Sequence, residues 1–303
     1  MLQVEMTLED RVDELMDLLD LAQNQIHEKN YVDAFLTLHE MYKTNITDIK
    51  IVKDSNEEYH SSKAISASGL KLIEENEGNL VYLLNKEPMS SPFIDLGSAV
   101  HGAILEPEIY DDEFFVMPKI DRRTKSGKEE YLEYQKKSEG KTLLTEDQGE
   151  IVNNIMKYYN KNDLAKFYSK GDIEVSHYLT HEGVDVRVRP DIINKKEGFI
   201  ADIKTCQKNS PRAFRNDIYK RFYHLQATFY CDMLGYDPAK FRFIACNTNK
   251  PYTVEVYGLS EELIERGREA WKNAFYDYKF YLNTGIITGY RNSNRDEDGT
   301  IIL

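Results

Sequence analysis

The stretch from Val184 to Thr205, VDVRVRPDIINKKEGFIADIKT, constrains this chain more than any other. It reads as an alternating strand, VDVRVRPD, closed by Asp191, then a polar turn, then a second strand, GFIADIKT. Strand side chains point to opposite faces in turn, so Asp202 and Lys204 share one face while Ile203 faces the core. If the two strands are neighbours, Asp191 meets that pair at one end of a sheet. Two carboxylates and an ammonium then converge on one small volume. Carboxylate oxygens are hard ligands for Mg²⁺, an ion that keeps open positions for water and phosphate. A lysine beside it can orient or deprotonate water, or neutralise phosphate charge. An Asp-Ile-Lys on an exposed strand is ordinarily a solvated ion pair. Here Asp202 is embedded among Phe199, Ile200, Ala201 and Ile203, where an unpaired carboxylate is costly.

The net charge of −13 disfavours a polyanionic partner until its distribution is considered. Residues 1–60 carry −9 of it. Between Lys204 and Arg221 six cations (Lys204, Lys208, Arg212, Arg215, Lys220 and Arg221) face a single acid, Asp217. A second basic cluster, KIDRRTKSGK, spans Lys119 to Lys128. Such patches on an acidic body suit contact with a phosphate backbone. No run approaches the roughly 20 apolar residues of a membrane span. The acidic N-terminus lacks the apolar core of a secretory signal. Cys206, Cys231 and Cys246 are too widely spaced for a zinc or iron–sulfur motif. Reduced thiols and a cytoplasmic location are the expectation.

Apolar spacing predicts helices within 8–44, from Val12, Leu15, Met16, Leu19, Ala22 and Ile26, then Tyr31, Phe35, Leu38 and Met41. Residues 1–60 are therefore expected to form an acidic helical appendage, with KDSNEEYHSSK (53–63) as linker. A main domain follows over 61–285, then a polar tail, 286–303. Within that domain we expect a helix capped by Ser66 or Ser68, a buried helix FIDLGSAVHGAIL (93–105), and one helix or a pair over 145–168. Strands are expected at 173–180, 184–192 and 198–205, the first two as a hairpin. A long helix over 211–234, strands at 241–247 and 252–257, and a helix capped by Ser260 complete the pattern. This is an α/β chain with a mixed central sheet flanked by helices.

Helix 211–234 carries Gln226 and Tyr230 four residues apart, with Tyr223 on the same face. Alone, that is an ordinary helix-surface pair. His101 lies among small and apolar residues, where a histidine is more often a core residue than a ligand, although a neutral imidazole can bind metal.

Together, GSAVHGAILEP (97–107), VRPDII (188–193), DIKT (202–205) and YHLQATFY (223–230) resemble the PD-(D/E)xK nuclease superfamily. The resemblance covers 65–283, has four motifs in order, and is nearest to the exodeoxyribonuclease VIII (RecE) type, related to RecB-like nucleases. It implies a restriction-endonuclease-like core. It implies metal ligation by His101, Asp191, Asp202 and the Ile203 carbonyl, with Glu174 as a further ligand. It makes Lys204 the catalytic lysine and Gln226 and Tyr230 a supporting motif, with Tyr223 beside them. The implied activity is Mg²⁺-dependent exonuclease action, with Mn²⁺ able to substitute, 5′ to 3′ on duplex DNA ends, in phage-type recombination or repair. Lys208, Arg212, Arg215, Lys220 and Arg221 are the DNA-contact candidates. A homo-oligomer and a single-strand annealing partner are implied as well. An endonuclease of the same superfamily, or a non-catalytic DNA-binding or assembly module, are the competing readings. The cysteines of the iron–sulfur RecB-like branch are missing.

Overall fold

The computed structural model describes residues 46–76, 78–80, 92–287 and 300. The helices expected within 8–44, and the tail from 288 apart from residue 300, lie outside them. The described elements begin with β1 (Ile46–Val52), α1 (Asn56–Ser61), α2 (Ala67–Glu75), α3 (Pro92–Leu105), α4 (Tyr110–Glu113), β2 (Phe114–Met117), α5 (Lys125–Lys137) and β3 (Thr142–Thr145). Next come α6 (Glu146–Tyr159), α7 (Asp163–Tyr168), β4 (Asp172–Ile173), β5 (Ser176–His181), β6 (Val184–Val188), β7 (Ile192–Asn194) and β8 (Phe199–Cys206). The chain continues through α8 (Pro211–Lys220), α9 (Tyr223–Leu234), β9 (Arg242–Asn247), β10 (Val254–Tyr257) and α10 (Glu261–Thr284). They group into two compact units.

One unit gathers residues 46–66, 176–188 and 233–235. Its sheet has the order β1-β5-β6, antiparallel throughout, so residues 46–52, expected within a separate helical appendage, are instead a strand paired with β5. Glu182 and Gly183 join β5 to β6 with φ of 46° and 78°, the left-handed pair that a tight hairpin needs. The segment expected as linker instead holds α1. Ser55 and Glu58 form a capping box, and Tyr59 is buried beneath the Arg187 guanidinium, which donates to the Tyr59 and Ser62 carbonyls. Linker-like composition concealed a cap signature and one buried aromatic.

The other unit holds, beside the small parallel pair β2–β3, a mixed five-stranded sheet, order β10-β9-β8-β7-β4, with helices on both faces. Within that sheet the β8–β9 pair is parallel and the rest are antiparallel. Phe199, Ala201 and Ile203 of β8 join Ile244 and Cys246 of β9 in a core with Ala99, Val100, Ala103 and Ile104 of α3 and Val152 and Ile155 of α6. The alternate residues face α8 and α9, where Phe243 packs on Phe214 and Tyr223. The Phe114 ring closes over Gly102, where a Cβ would come within 2.9 Å of it.

Three expected elements are divided. The strand over 173–180 breaks after Ile173, because Glu174 adopts φ 48°, outside the extended range. The strand over 184–192 breaks at Arg189-Pro190-Asp191, where proline removes a ladder donor. The helix over 211–234 breaks at Arg221–Phe222, with Phe222 at φ 50°. The 145–168 segment is the pair α6 and α7, with Thr145 and Gln148 in a capping box.

Helices α9 and α10 meet closely. Asp232 accepts from Arg268 at 2.9–3.1 Å and from Trp271 Nε1 at 3.0 Å. Gly267 allows the approach: a Cβ there would lie 2.4 Å from the His224 carbonyl oxygen, a backbone atom that cannot swing aside. Gly267→Ala is expected to destabilise the protein by about 1–3 kcal/mol through overpacking, despite the better helix propensity of alanine. Denaturant unfolding measures it; an unchanged or raised midpoint would refute the close packing.

Candidate active site

The site forms where β7 stops pairing. Ile192 is opposite Ala201, and no β7 residue pairs with β8 beyond that point. The Ile203 N–H, on the β7 side, is left without a ladder partner. The Asp191 carboxylate takes the missing place, with Oδ2 accepting from Ile203 N at 2.6 Å. Ile203 C=O points the same way, since N–H and C=O of one strand residue share a side. The Arg189-Pro190-Asp191 break thus turns a strand end into a notch lined by a carboxylate and an unpaired strand edge.

Three elements fill the notch. His101 on α3 places Nδ1 3.5 Å from Asp191 Oδ2. Glu174 follows β4 and its N–H donates to the Asp191 carbonyl at 3.1 Å. One ligand atom each from His101, Glu174 and Asp191 lie within 4.8 Å of one another. Asp202 approaches from the opposite face of β8. Its carboxylate meets the Lys204 ammonium through Oδ1 and accepts from Gln226 Nε2 at 2.6 Å through Oδ2. Oδ1 has an ion-pair contact and no hydrogen bond of good geometry, so Lys204 neutralises that oxygen without fully satisfying it.

The structure separates the expected ligands into two groups. His101, Asp191 and Glu174 cluster, while Asp202 is committed to Lys204 and Gln226. Tyr223 lies under Lys204, with the ammonium 4.9 Å from its ring centre, and Tyr230 is buried one turn beyond Gln226. Lys71, on α2, was not legible as a site residue: it lies next to buried Leu70 in a short helix outside the motifs. Its Nζ donates to Gln226 Oε1 at 2.6 Å and sits 5.2 Å from the Tyr223 ring centre.

Electrostatics follow from burial. Burial, then the Asp202 charge, pushes the Asp191 carboxyl well above the usual range, against the pull of Lys204 and the Ile203 N–H. Burial lowers the His101 pKa, which keeps its imidazole neutral and able to ligate. Burial also works against the Lys204 ammonium, but Asp202 and Asp191 outweigh it and its pKa is raised. Lys71 is pulled down to about 7 by burial and by Lys204. Two carboxyl groups and a neutral imidazole whose ligand atoms lie within 4.8 Å of one another suit a hard divalent cation. His101, Glu174 and Asp191 are the residues that would hold it.

The DNA-contact candidates are all exposed on α8 or its flanks. Arg215 is paired with Glu262 at 3.0 Å and Arg221 with Asp217 at 3.8 Å, while Lys208 lines a cleft of about 670 Å³ with Ser210, Asn249 and Lys250. In the 119–128 cluster, Lys119 pairs with Asp147 and Arg123 with Asp121. Cys206, Cys231 and Cys246 are free and buried. Among the described residues, no helix is long and apolar enough to cross a membrane.

Residues 66–286 match the family described as "PDDEXK-like domain of unknown function (DUF3799)". The chain belongs to that family. All the site residues above fall inside the matched segment. Among solved structures, the chain is similar to a "putative exonuclease" from Eubacterium rectale, with a TM-score of 0.53 and 12% identity over 78% of this chain and 89% of that one. That likeness concerns the fold. A second structure, SSO0001, is also 12% identical over 73% of this chain and 88% of its own, at a TM-score of 0.25. No curated protein matches the chain.

Two predictions follow from this geometry. A left-handed backbone costs a non-glycine residue about 1 kcal/mol or more. Glu174→Gly should therefore be more stable than Glu174→Ala by about 1 kcal/mol, while both weaken Mn²⁺ binding alike; equal unfolding midpoints would show that Glu174 is not strained. The raised Asp191 pKa means the metal-free folded state holds a proton that the unfolded chain releases. Stability without metal should fall as pH rises from the ordinary carboxylate range through the Asp191 value, and Mn²⁺ affinity should rise over the same interval. Calorimetry showing an affinity independent of pH would contradict this.

Proposed function

We propose that this protein is a divalent-metal-dependent deoxyribonuclease that degrades linear DNA from duplex ends. The observation that carries the reading is the notch itself: Asp191, Glu174 and His101 on one side of β8, and the Asp202–Lys204 pair on the other. Membership of a PDDEXK-like family supports the reaction class. A bound divalent cation supplies Lewis-acid polarisation of a phosphate and a lowered pKa for water.

The protein's own groups define the remaining roles. Lys204 is held in its charged form by Asp202 and Asp191, so it acts as a donor and a cation rather than as a base. It orients the attacking water and offsets charge developing on the phosphate. Gln226 holds Asp202, and the Tyr223 ring supports the Lys204 ammonium. The exposed cations Lys208, Arg212, Lys220 and Arg221 bind flanking backbone phosphates.

The finer reading is an exodeoxyribonuclease VIII-like enzyme: 5′ to 3′, using Mg²⁺ or Mn²⁺, in phage-type recombination or repair in the cytoplasm. In this reading it works as a homo-oligomer with an annealing protein, and the acidic N-terminal helices expected within 8–44 serve assembly. The motif order GSAVHGAILEP, VRPDII, DIKT and YHLQATFY supports it.

The test is digestion of end-labelled linear duplex beside closed circular DNA, with Mg²⁺ and with EDTA. Mg²⁺-dependent loss of the linear substrate alone is expected, with label release giving the polarity. Cutting of the circle would replace this reading with an endonuclease, and inertness toward both would leave a binding module. Asp202→Asn and Lys204→Met should each lower turnover by at least about 10³-fold with folding intact. Full activity in either would remove Asp202 and Lys204 from the chemistry.

A further inference from the structure

The buried hydrogen-bond chain behind Asp202 ends on a residue outside the four motifs. Lys71 Nζ donates to Gln226 Oε1 at 2.6 Å, and Gln226 Nε2 donates to Asp202 Oδ2 at 2.6 Å. Asp202 Oδ1 in turn meets Lys204. An amide has two ends of nearly equal shape, so its sense is set by its partners. Asp202 can only accept from Gln226 as a carboxylate, which requires the NH₂ end. As an ammonium Lys71 can only donate, so the oxygen end of the amide faces it. Reversing the amide would set Gln226 oxygen against the Asp202 carboxylate and its NH₂ against an ammonium. Both contacts would then be repulsive in a buried place.

We infer that Lys71 is a positioning residue: it locks the sense of the Gln226 amide and thereby fixes the Asp202 carboxylate, and through it Lys204, for catalysis. The catalytic part rests on the nuclease reading above; the locking does not. The two ammoniums share one further surface, the Tyr223 ring, at 5.2 Å and 4.9 Å from its centre. That ring therefore packs against both ammoniums. Helix α2, which carries Lys71, packs on α10, and α10 is anchored to α9 through Asp232 and the Gly267 approach. Donor and amide are therefore both mounted on packed helices.

The experiment is a double-mutant cycle on linear duplex with Mg²⁺, using Lys71→Met, Gln226→Leu and the pair, with Lys71→Arg as the conservative control. Lys71→Met should lower kcat by about 10- to 100-fold with little change in KM, as loss of a supporting partner does. Adding it to Gln226→Leu should cost nothing more, and Lys71→Arg should recover most of the rate. Additive effects, or a loss confined to KM, would mean that Lys71 contacts DNA directly and would overturn the assignment. An unchanged kcat would overturn it too. A readout independent of turnover uses the protein labelled with [¹⁵N]glutamine. The Gln226 side-chain amide signal, assigned by its disappearance in Gln226→Leu, should shift in Lys71→Met and stay close to wild type in Lys71→Arg. If the wild type cleaves nothing, the nuclease reading fails while this measurement still decides whether Lys71 sets the amide; an unshifted signal would end the proposal.

Discussion

Everything at the site depends on one hydrogen bond, from the Ile203 N–H to the Asp191 carboxylate. A buried strand N–H must find a partner, and an orphaned one costs about 1–3 kcal/mol. In most sheets the next residue of the neighbouring strand supplies it. Here Pro190 and the turn of the chain end β7 early, and a side chain serves instead. The same bond completes the sheet and holds a carboxylate at the edge of a gap. Because it spends one Asp191 oxygen on the backbone, it also fixes where the rest of that group points. Fold and site are thus parts of one arrangement: extending β7 by two residues would close the notch and bury the Ile203 carbonyl in a ladder.

The gap also explains how residues from both faces of a sheet meet. Lys204 and Asp202 project toward α9, while His101 comes from α3, on the other side. An intact sheet would separate these groups by its full thickness. Shortening β4 and β7 opens a passage beside β8, so that Asp191 senses the charge of both Asp202 and Lys204. Burial is the main cause of both the raised Asp191 pKa and the lowered His101 pKa; the Asp202 charge adds to the first and the Lys204 charge to the second. A notch with surplus carboxyl groups and a neutral imidazole is under electrostatic stress that a divalent cation would relieve.

How much of this was legible in the sequence depended on the length scale of the cause. The Asp202–Ile203–Lys204 alternation, the burial of Ile203 and the Gln226–Tyr230 spacing rest on strand and helix periodicity, which is local, and each appears in the structure where the pattern puts it. The Ser260 cap and the Thr145 boundary are local as well. The breaks at Glu174 and Phe222 were not legible, since neither residue type announces a left-handed backbone and only tertiary packing can impose it. The Arg-Pro-Asp break was half legible: proline marked an irregularity, but the alternation of VDVRVRPD ran through it. Lys71 was hidden for a different reason. Its partner lies 155 residues away, and a lysine beside an apolar helix stripe ordinarily reaches for water.

The positions that pattern could not reveal have something in common. Glu174 adopts its left-handed backbone at the point where the chain leaves β4, and Phe222 does so where α8 hands over to α9, one residue before Tyr223. These two, unlike Glu182 in the β5–β6 turn, stand at junctions that deliver a site group: the Glu174 carboxylate itself, and the Tyr223 ring under two ammoniums. Strain of this kind persists only where surrounding structure over-determines it. For Glu174 the constraint is the N–H bond to the Asp191 carbonyl; for Phe222 it is the ring stacked on His224, whose Nδ1 bonds the Ile218 carbonyl. Local preference yields at these two joints because the geometry they hold is needed elsewhere. A sequence relaxed for stability alone would place glycine at both and lose the carboxylate at one of them.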